Sequence, residues 1–318
     1  VKTLSFLLAL LLFPTSAVLA HGPAAPDPVS LEEGLAAFGW NFDEAEVKTE
    51  KLEEGFYVLY GLGGNVAVSS GEDGVLIVDD QFPEMVPGLL KAMRKQGDKR
   101  VDFVINTHWH FDHADGNKML GAEKNTWLVS QANSRRMMRK DNVVNLVGVA
   151  IEQPAYPALA LPDITFDETM QFHLNGERID LLHSGPAHTT GDAAVIFRGR
   201  NAVHMGDVFN NAGYPFIDAD NGGSLDGVIE FCKSVLREIR EDTVVIPGHG
   251  PLASRRELHD YVRMLETVRG DLVAMIRAGK SREDILAAGI TATWDERWGD
   301  PARFIDRSHA SLTRRYLQ

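Results

Sequence analysis

Cysteine is almost missing from this chain: its 318 residues include one, Cys232. A lone thiol closes no internal disulfide and cannot build the thiolate cage of a structural zinc site, so stability has to come from core burial rather than a disulfide framework. Basic charge is also short. The 32 Lys and Arg face 45 Asp and Glu, a net charge of −13, and no basic stripe interrupts the excess. Such a surface repels polyanions and argues against nucleic acid as a partner. Beyond the N-terminus there is no uncharged apolar run of the about 20 residues that a membrane-spanning helix needs, and no short-period repeat. The hydrophobic share of 44% is that of an ordinary globular core.

What is present begins with a targeting pattern. Lys2 gives a positive start, Leu4 to Phe13 is nearly unbroken apolar sequence, and Val18-Leu19-Ala20 offers the small residues a signal peptidase reads. Residues 1–20 are therefore expected to be a signal peptide cleaved after Ala20, leaving an exported protein, periplasmic or extracellular in a bacterium, with no membrane attachment. Residues 21–30, rich in Pro and Ala, read as a flexible leader. Residues 31–253 read as the main domain, with 254–318 as a helical segment packed on it.

The main domain opens with strand-like segments, Phe56 to Tyr60, Asn65 to Ser70 and Val75 to Val78, separated by glycine turns. Met85 to Gln96 has helical spacing, and Val101 to Ile105 reads as a buried strand delivering Thr107 to a loop. Thr126 to Val129 and Gln131 to Lys140 form another strand and helix. Asp141 to Pro162, with three prolines and little periodicity, reads as an insertion or mobile loop near the site. Strands resume at Met170 to Leu174, Arg178 to His183, Ala193 to Phe197 and Ala202 to Met205. Leu225, Val228, Ile229, Cys232, Val235, Leu236 and Ile239 trace one helical face. Val244 to Ile246 is a last strand, and helices follow from Arg255. Two halves, each a sheet covered by helices, account for this order.

Chemistry concentrates in His108-Trp109-His110-Phe111-Asp112-His113, three imidazoles and a carboxylate within six positions at a strand end. Imidazole and carboxylate suit zinc, with iron and manganese served by the same donors. Alternate residues of an extended segment face one way, so His108 and His110 can grip one ion while Asp112 and His113 reach a second. Four ligands this close crowd a single tetrahedral ion, which argues for two metals. Further donors stand where other strands end: His188 in Gly185 to Asp192, Asp207 after His204-Met205-Gly206, and His249 in Pro247 to Pro251.

In that order the motifs resemble the metallo-β-lactamase superfamily, over about Phe56 to Pro251, with Asp79 as the aspartate of an early strand and Ala187 where the family's turn has Gly. The resemblance implies an α/β fold, a four-layer αβ/βα sandwich of two mixed sheets flanked by helices. It implies two Zn2+, one on His108, His110 and His188, the other on Asp112, His113 and His249, with Asp207 bridging and Asp79 orienting a ligand imidazole. It departs from the cysteine-containing β-lactamases, because Asp207 stands where they carry the thiolate, and in that respect resembles the superfamily's lactonases and thioesterases or an early-branching relative of the β-lactamases. Cys232 is expected in the core.

Other residues divide less sharply. His173, His183 and His204 are expected in structural or ligand-supporting roles, and His21, His259 and His309 at the surface. Trp109 and Phe111 are site wall or core. Asn210, Asn211, Tyr214 and Phe216 are candidates for a substrate pocket, while Trp294 and Trp298 are expected to pin the C-terminal helices.

The implied chemistry is hydrolysis of a small molecule. Two metals held there would supply Lewis acidity and hydroxide near neutral pH, and Asp112 is expected to position the attacking water and shuttle its proton. Export favours β-lactam ring opening. A lactone, or another ester, thioester or phosphodiester, is the alternative. An iron-dependent redox protein or a non-catalytic metal binder is the rival class, which metal analysis separates.

Overall fold

The computed structural model describes residues 26–98 and 100–316. The signal sequence expected over 1–20 and His21 lie outside them. Among the described residues, no helix is long and apolar enough to cross a membrane.

Two mixed sheets face each other. The first has the order Ile164–Phe166, Trp127–Gln131, Phe103–Asn106, Gly74–Val78, Val66–Gly71, Phe56–Tyr60, Lys48–Glu53, parallel from the first edge through Gly74–Val78 and antiparallel beyond. The second runs Thr169–Leu174, Glu177–Leu182, Ala194–Phe197, Ala202–His204, Val244–Ile246, Ala253–Ser254, antiparallel except for the pair Ala202–His204 and Val244–Ile246.

The layers follow from the alternation of side chains along each strand. Val58, Leu76, Val78, Ile105 and Val129 of the first sheet meet Ile179, Leu181, Val195, Phe197 and Ile246 of the second in one buried cluster. Their neighbours in sequence point the other way: Tyr57, Leu59, Ile77 and Val104 pack under Val86, Leu89 and Met93 of the helix Val86–Lys95. On the far side, Ile196, Val203 and Val245 pack under the helices Leu225–Glu238 and Arg255–Arg277. Each such fully buried aliphatic or aromatic side chain is worth about 1.5–3 kcal/mol relative to exposure. The expected sandwich is therefore present, and Cys232 lies in its second outer layer, buried, with its thiol directed at the Val208 carbonyl.

Two expectations need correction. Asp141 to Pro162 is not a structureless loop: Asn142–Asn145 and Ala150–Gln153 form a hairpin turning at Val147 and Gly148, both with positive φ. The prolines fall outside its strands, at 154, 157 and 162, where no ladder hydrogen bond is lost. Part of the segment expected as a leader over 21–30 is ordered. Pro28–Val29 pairs in parallel with Ala150–Ile151, and Ser30 caps the helix Leu31–Ala37 in a capping box with Glu33. Leu35 of that helix, with Ile151, Tyr156, Met138 and Trp109, forms a separate core beside the end of the sandwich that carries the histidines.

The C-terminal stretch is helical over Arg255–Arg277, Arg282–Ala287, Asp295–Trp298 and Ala302–Tyr316. Trp298, Phe304, Ile305 and Leu312 join the core of the second sheet's outer face, with Trp294 packed against it.

Candidate metal centre

The candidate residues gather at one edge because that edge collects the carboxyl ends of the parallel strands, where chain direction leaves loops free to carry function. Gly74–Val78 delivers Asp79, Phe103–Asn106 delivers Thr107 to His113, Ala202–His204 delivers Asp207, and Val244–Ile246 delivers His249. Ala194–Phe197 runs antiparallel to its neighbour, so its entering loop, with His188, reaches the same edge.

Three groups of side chains have donor atoms mutually within 4.8 Å and could hold a metal: His108, His110 and His188; His108, His113 and Asp207; and Asp112, His113 and His249. The seven candidate ligands thus form one cluster, with His108, His113 and Asp207 between the outer groups.

Hydrogen bonds fix which nitrogen each ring presents. Nδ1 of His113 donates to Oδ2 of Asp79 at 2.7 Å, leaving Nε2 facing His249 Nε2 at 3.1 Å and Asp207 Oδ1 at 3.1 Å. The same Asp79 accepts from the Thr107 amide at 2.7 Å and hydroxyl at 2.8 Å. Because that hydroxyl proton is committed to Asp79, the hydroxyl oxygen accepts from His108 Nδ1 at 3.0 Å. Asp79 therefore orients His113 directly and His108 through Thr107, from a backbone held at φ 65°. Such a conformation is uncommon for a residue with a Cβ and persists where surrounding structure enforces it.

His108 Nε2 is buried without a hydrogen-bond partner, and so is Oδ1 of Asp207. Orphaned buried acceptors are rare and costly, and both belong to the donor groups. His188 donates from Nδ1 to the Phe216 carbonyl at 2.8 Å, and its Nε2 faces His110 Nδ1 at 2.9 Å. Two nitrogens each about 2.0–2.1 Å from a tetrahedral zinc would stand roughly 3.3 Å apart, so these spacings and the neutral-imidazole and carboxylate chemistry fit divalent metal.

Electrostatics divides the cluster. Burial, with the neighbouring imidazoles of His113, His188 and His110, pushes His108 well below the ordinary histidine range, and burial and His110 lower His188. These rings stay neutral and keep lone pairs free. Burial also opposes charge on His113, but the carboxylates of Asp207, Asp112 and Asp79 outweigh it and hold that ring well above its usual value. Likewise burial resists charge on His249, while Asp207 and Asp112 push it up to about 10. For Asp207 burial is outweighed by His249 and His113, which hold the carboxyl well below its ordinary range. The Asp112–His113–His249 end thus favours positive charge.

Glycine permits the crowding. A Cβ on Gly64 would lie 2.2 Å from the His113 ring, and one on Gly248 would lie 2.0 Å from Asp207 Oδ1.

Three further residues support the cluster. Asp218 accepts from His110 Nε2 at 2.9 Å, turning Nδ1 toward the cluster. Asn65 donates through Nδ2 to the Pro247 and Gly250 carbonyls, both at 2.9 Å, clamping the His249 loop to the first sheet. Asp192 accepts from the amides of Ala187 and Thr189 and holds the His188 turn. Of these, only Asp192 carried a signal, since it closes the Gly-flanked turn that contains His188.

The remaining candidates fall on both sides. A cleft of about 220 Å3 opens over the cluster, lined by His110, Asp112, Asp207 and His249 and walled by Phe111, Phe216 and Asn210 among others. Trp109 is not part of that wall: it is fully buried in the neighbouring core, because the alternation that aims His108 and His110 at the site turns it away. Asn211 bonds the Pro251 carbonyl and Arg297 instead of facing the cleft. Tyr214 stacks on Phe304 and bonds Asp295 and the Thr291 carbonyl, anchoring the C-terminal helices. His204 is buried, donating to the Asn65 carbonyl at 2.9 Å and accepting from the Gly206 amide. His183 bonds the Asp192 carbonyl at 2.7 Å, whereas His173 is exposed. His259 is exposed, and His309 is half-buried.

Residues 59–254 match the metallo-β-lactamase superfamily model, and the chain belongs to that superfamily of metal-dependent hydrolases. A probable metallo-hydrolase of Methanocaldococcus jannaschii is 22% identical over 198 residues, 62% of this chain and 92% of that protein. The mitochondrial hydroxyacylglutathione hydrolase of Saccharomyces cerevisiae is 24% identical over 181 residues, 54% of this chain and 55% of that enzyme. Among solved structures, the DIM-1 metallo-β-lactamase superposes with a TM-score of 0.57 at 19% identity, covering 70% of this chain and 99% of that one. The sec-alkylsulfatase Pisa1 of Pseudomonas sp. gives 0.63 at 12% identity, covering 85% of this chain and 50% of the other. At these identities the likeness to solved structures is one of fold.

Proposed function

We propose that this protein is an exported dinuclear-zinc hydrolase that opens a cyclic amide or ester, with the β-lactam ring as the first substrate to test. The observation that carries the reading is the gathering of five imidazoles and two carboxylates into linked groups whose donor atoms lie within 4.8 Å of one another. In this reading His108, His110 and His188 hold one ion, Asp112, His113 and His249 hold the other, and Asp207 lies between. Zinc bound there supplies Lewis acidity and hydroxide at neutral pH. Asp112 lies at the cleft, 3.2 Å from His249 Nε2, where its carboxylate positions the attacking water and takes its proton. Asn210 and Phe216 hold the substrate against the cluster.

A second reading, ester or thioester hydrolysis, draws on the donor set itself. Asp207 supplies a carboxylate where cysteine-containing β-lactamases supply a thiolate, and the yeast relative is named for a thioester. The zinc-loaded protein assayed against a cephalosporin, a carbapenem, an acyl-homoserine lactone, an acylglutathione and a phosphodiester separates these. Ring opening of either β-lactam supports the first reading. Turnover confined to the lactone or thioester moves the assignment to the second, and inactivity on all five contradicts both.

A further inference from the structure

Apart from its donor groups, the cleft has mostly apolar walls, with the amide of Asn210 and one charged exception. Leu35, Phe38, Trp40, Val144, Leu146 and Phe216 line it with apolar surface. The exception is Arg303, at the start of the helix Ala302–Tyr316. It is exposed on the cleft side, with its guanidinium 5.9 Å from the centroid of the Phe38 ring.

Three arginines of the C-terminal helices are paired with acids: Arg282 with Asp306, Arg307 with Asp306 and Asp220, and Arg314 with Asp220. Arg303 forms no salt bridge among the described residues. Of the two acids three positions away in sequence, Asp306 is engaged by Arg282 and Arg307, and Asp300, whose charge favours the guanidinium from a distance, uses Oδ1 to accept from the Ala302 amide at 2.9 Å. In a chain with 45 acidic and 32 basic residues, an arginine with no salt-bridged acid beside an aromatic wall is a ready partner for an anion from outside. Guanidinium matches a carboxylate with two parallel hydrogen bonds, a match strengthened by partial exclusion of water.

We propose that Arg303 is the specificity-determining residue of this cleft and recognises a carboxylate on the substrate. The substrates are then amphiphiles, with an apolar body lying on Leu35, Phe38, Trp40 and Phe216, a scissile bond over the histidine cluster and a carboxylate at Arg303. This rests on the hydrolase reading for the bond that is cut, but not for the anion that is bound.

The test uses the zinc-loaded full chain and paired esters: the mono-p-nitrophenyl esters of succinic, adipic and suberic acids, each against the neutral p-nitrophenyl ester of the same chain length. For the best-matched length, the ratio of kcat/KM for the acid over the neutral ester should fall about 10- to 100-fold in Arg303→Met, chiefly through KM. Arg303→Lys should keep part of the ratio and serves if the Met variant fails to fold. Arg263→Met, on the exposed face of Arg255–Arg277, removes the same charge elsewhere and should leave the ratio intact. An unchanged ratio in the Arg303 variants, or an equal fall in Arg263→Met, overturns the proposal. If the wild type cleaves none of the esters, they are not its substrates, and the hydrolase reading stands or falls on the five-substrate assay. Arg303 is then judged by calorimetry with hexanoate and hexanamide, where an affinity ratio unaltered by Arg303→Met overturns it and a 10-fold or greater fall sustains it.

Discussion

Asp218 accepts a hydrogen bond from Nε2 of His110 at 2.9 Å, across 108 positions of sequence. Both side chains are buried, so the bond fixes the ring's tautomer and rotation and leaves Nδ1 as the donor facing His188. Removing such a partner typically weakens metal binding or activity about 10- to 100-fold. Asp218→Ala should therefore lower zinc affinity by that factor in competition with a chromophoric chelator, at unchanged secondary structure by circular dichroism. Wild-type affinity would show that the ring is held by packing alone.

Asp112 separates chemistry from metal holding. Asp112→Asn keeps shape and one oxygen but cannot accept a proton. Turnover should drop by about 10^2–10^4 while more than half of the metal stays bound, measured by steady-state assay alongside elemental analysis of one preparation. Near-normal rates would remove Asp112 from the mechanism.

Asn65 is the hinge pin between the two sheets at the site. Its amide nitrogen donates to Gly248 O at 2.7 Å, and its side chain holds two more carbonyls of the same loop. In Asn65→Ala the backbone bond survives, but the Pro247 and Gly250 carbonyls lose a partner. A buried polar group left unpaired costs about 1–3 kcal/mol, so the denaturant midpoint should fall and the His249 end should lose zinc first. Unchanged stability and metal content would make this clamp dispensable.

How far this site could be read from sequence depends on how local its causes are. The His108 to His113 segment announces itself because its donors are neighbours, His188, Asp207 and His249 stand out because each follows an apolar strand, and Asp79 is legible only through the family resemblance. Asp218 and Asn65 act across long loops and carry no spacing signal: one is an ordinary acid in a polar stretch, the other an ordinary turn residue. Tyr214 and Asn211 were misplaced for a related reason. They follow Asp207 closely, but the chain turns outward there, and the C-terminal helices decide what those side chains meet. The hairpin Asn142–Asn145 and Ala150–Gln153 was hidden by its short strands and flanking prolines, since its pairing with Pro28–Val29 is a tertiary event.

Glycines give a paired test of close approach. A methyl on Gly248 would meet Asp207 Oδ1 at 2.0 Å and backbone of Gly206 at 2.6 Å, so Gly248→Ala should displace Asp207 and abolish most activity. Gly270 lies exposed in the interior of Arg255–Arg277 with open space around it. Gly270→Ala should stabilise the protein by about 0.5–1 kcal/mol without changing metal content. Equal behaviour of the two variants would contradict the crowding argued for the site.

The most direct measurement is the metal content of protein purified without added zinc, taken by elemental analysis together with catalytic rate before and after chelation. If the seven side chains work as one centre, the result is two zinc ions per chain, activity lost with them and regained on adding zinc back. One ion per chain, stoichiometric redox-active iron, or hydrolysis indifferent to the chelator would contradict it.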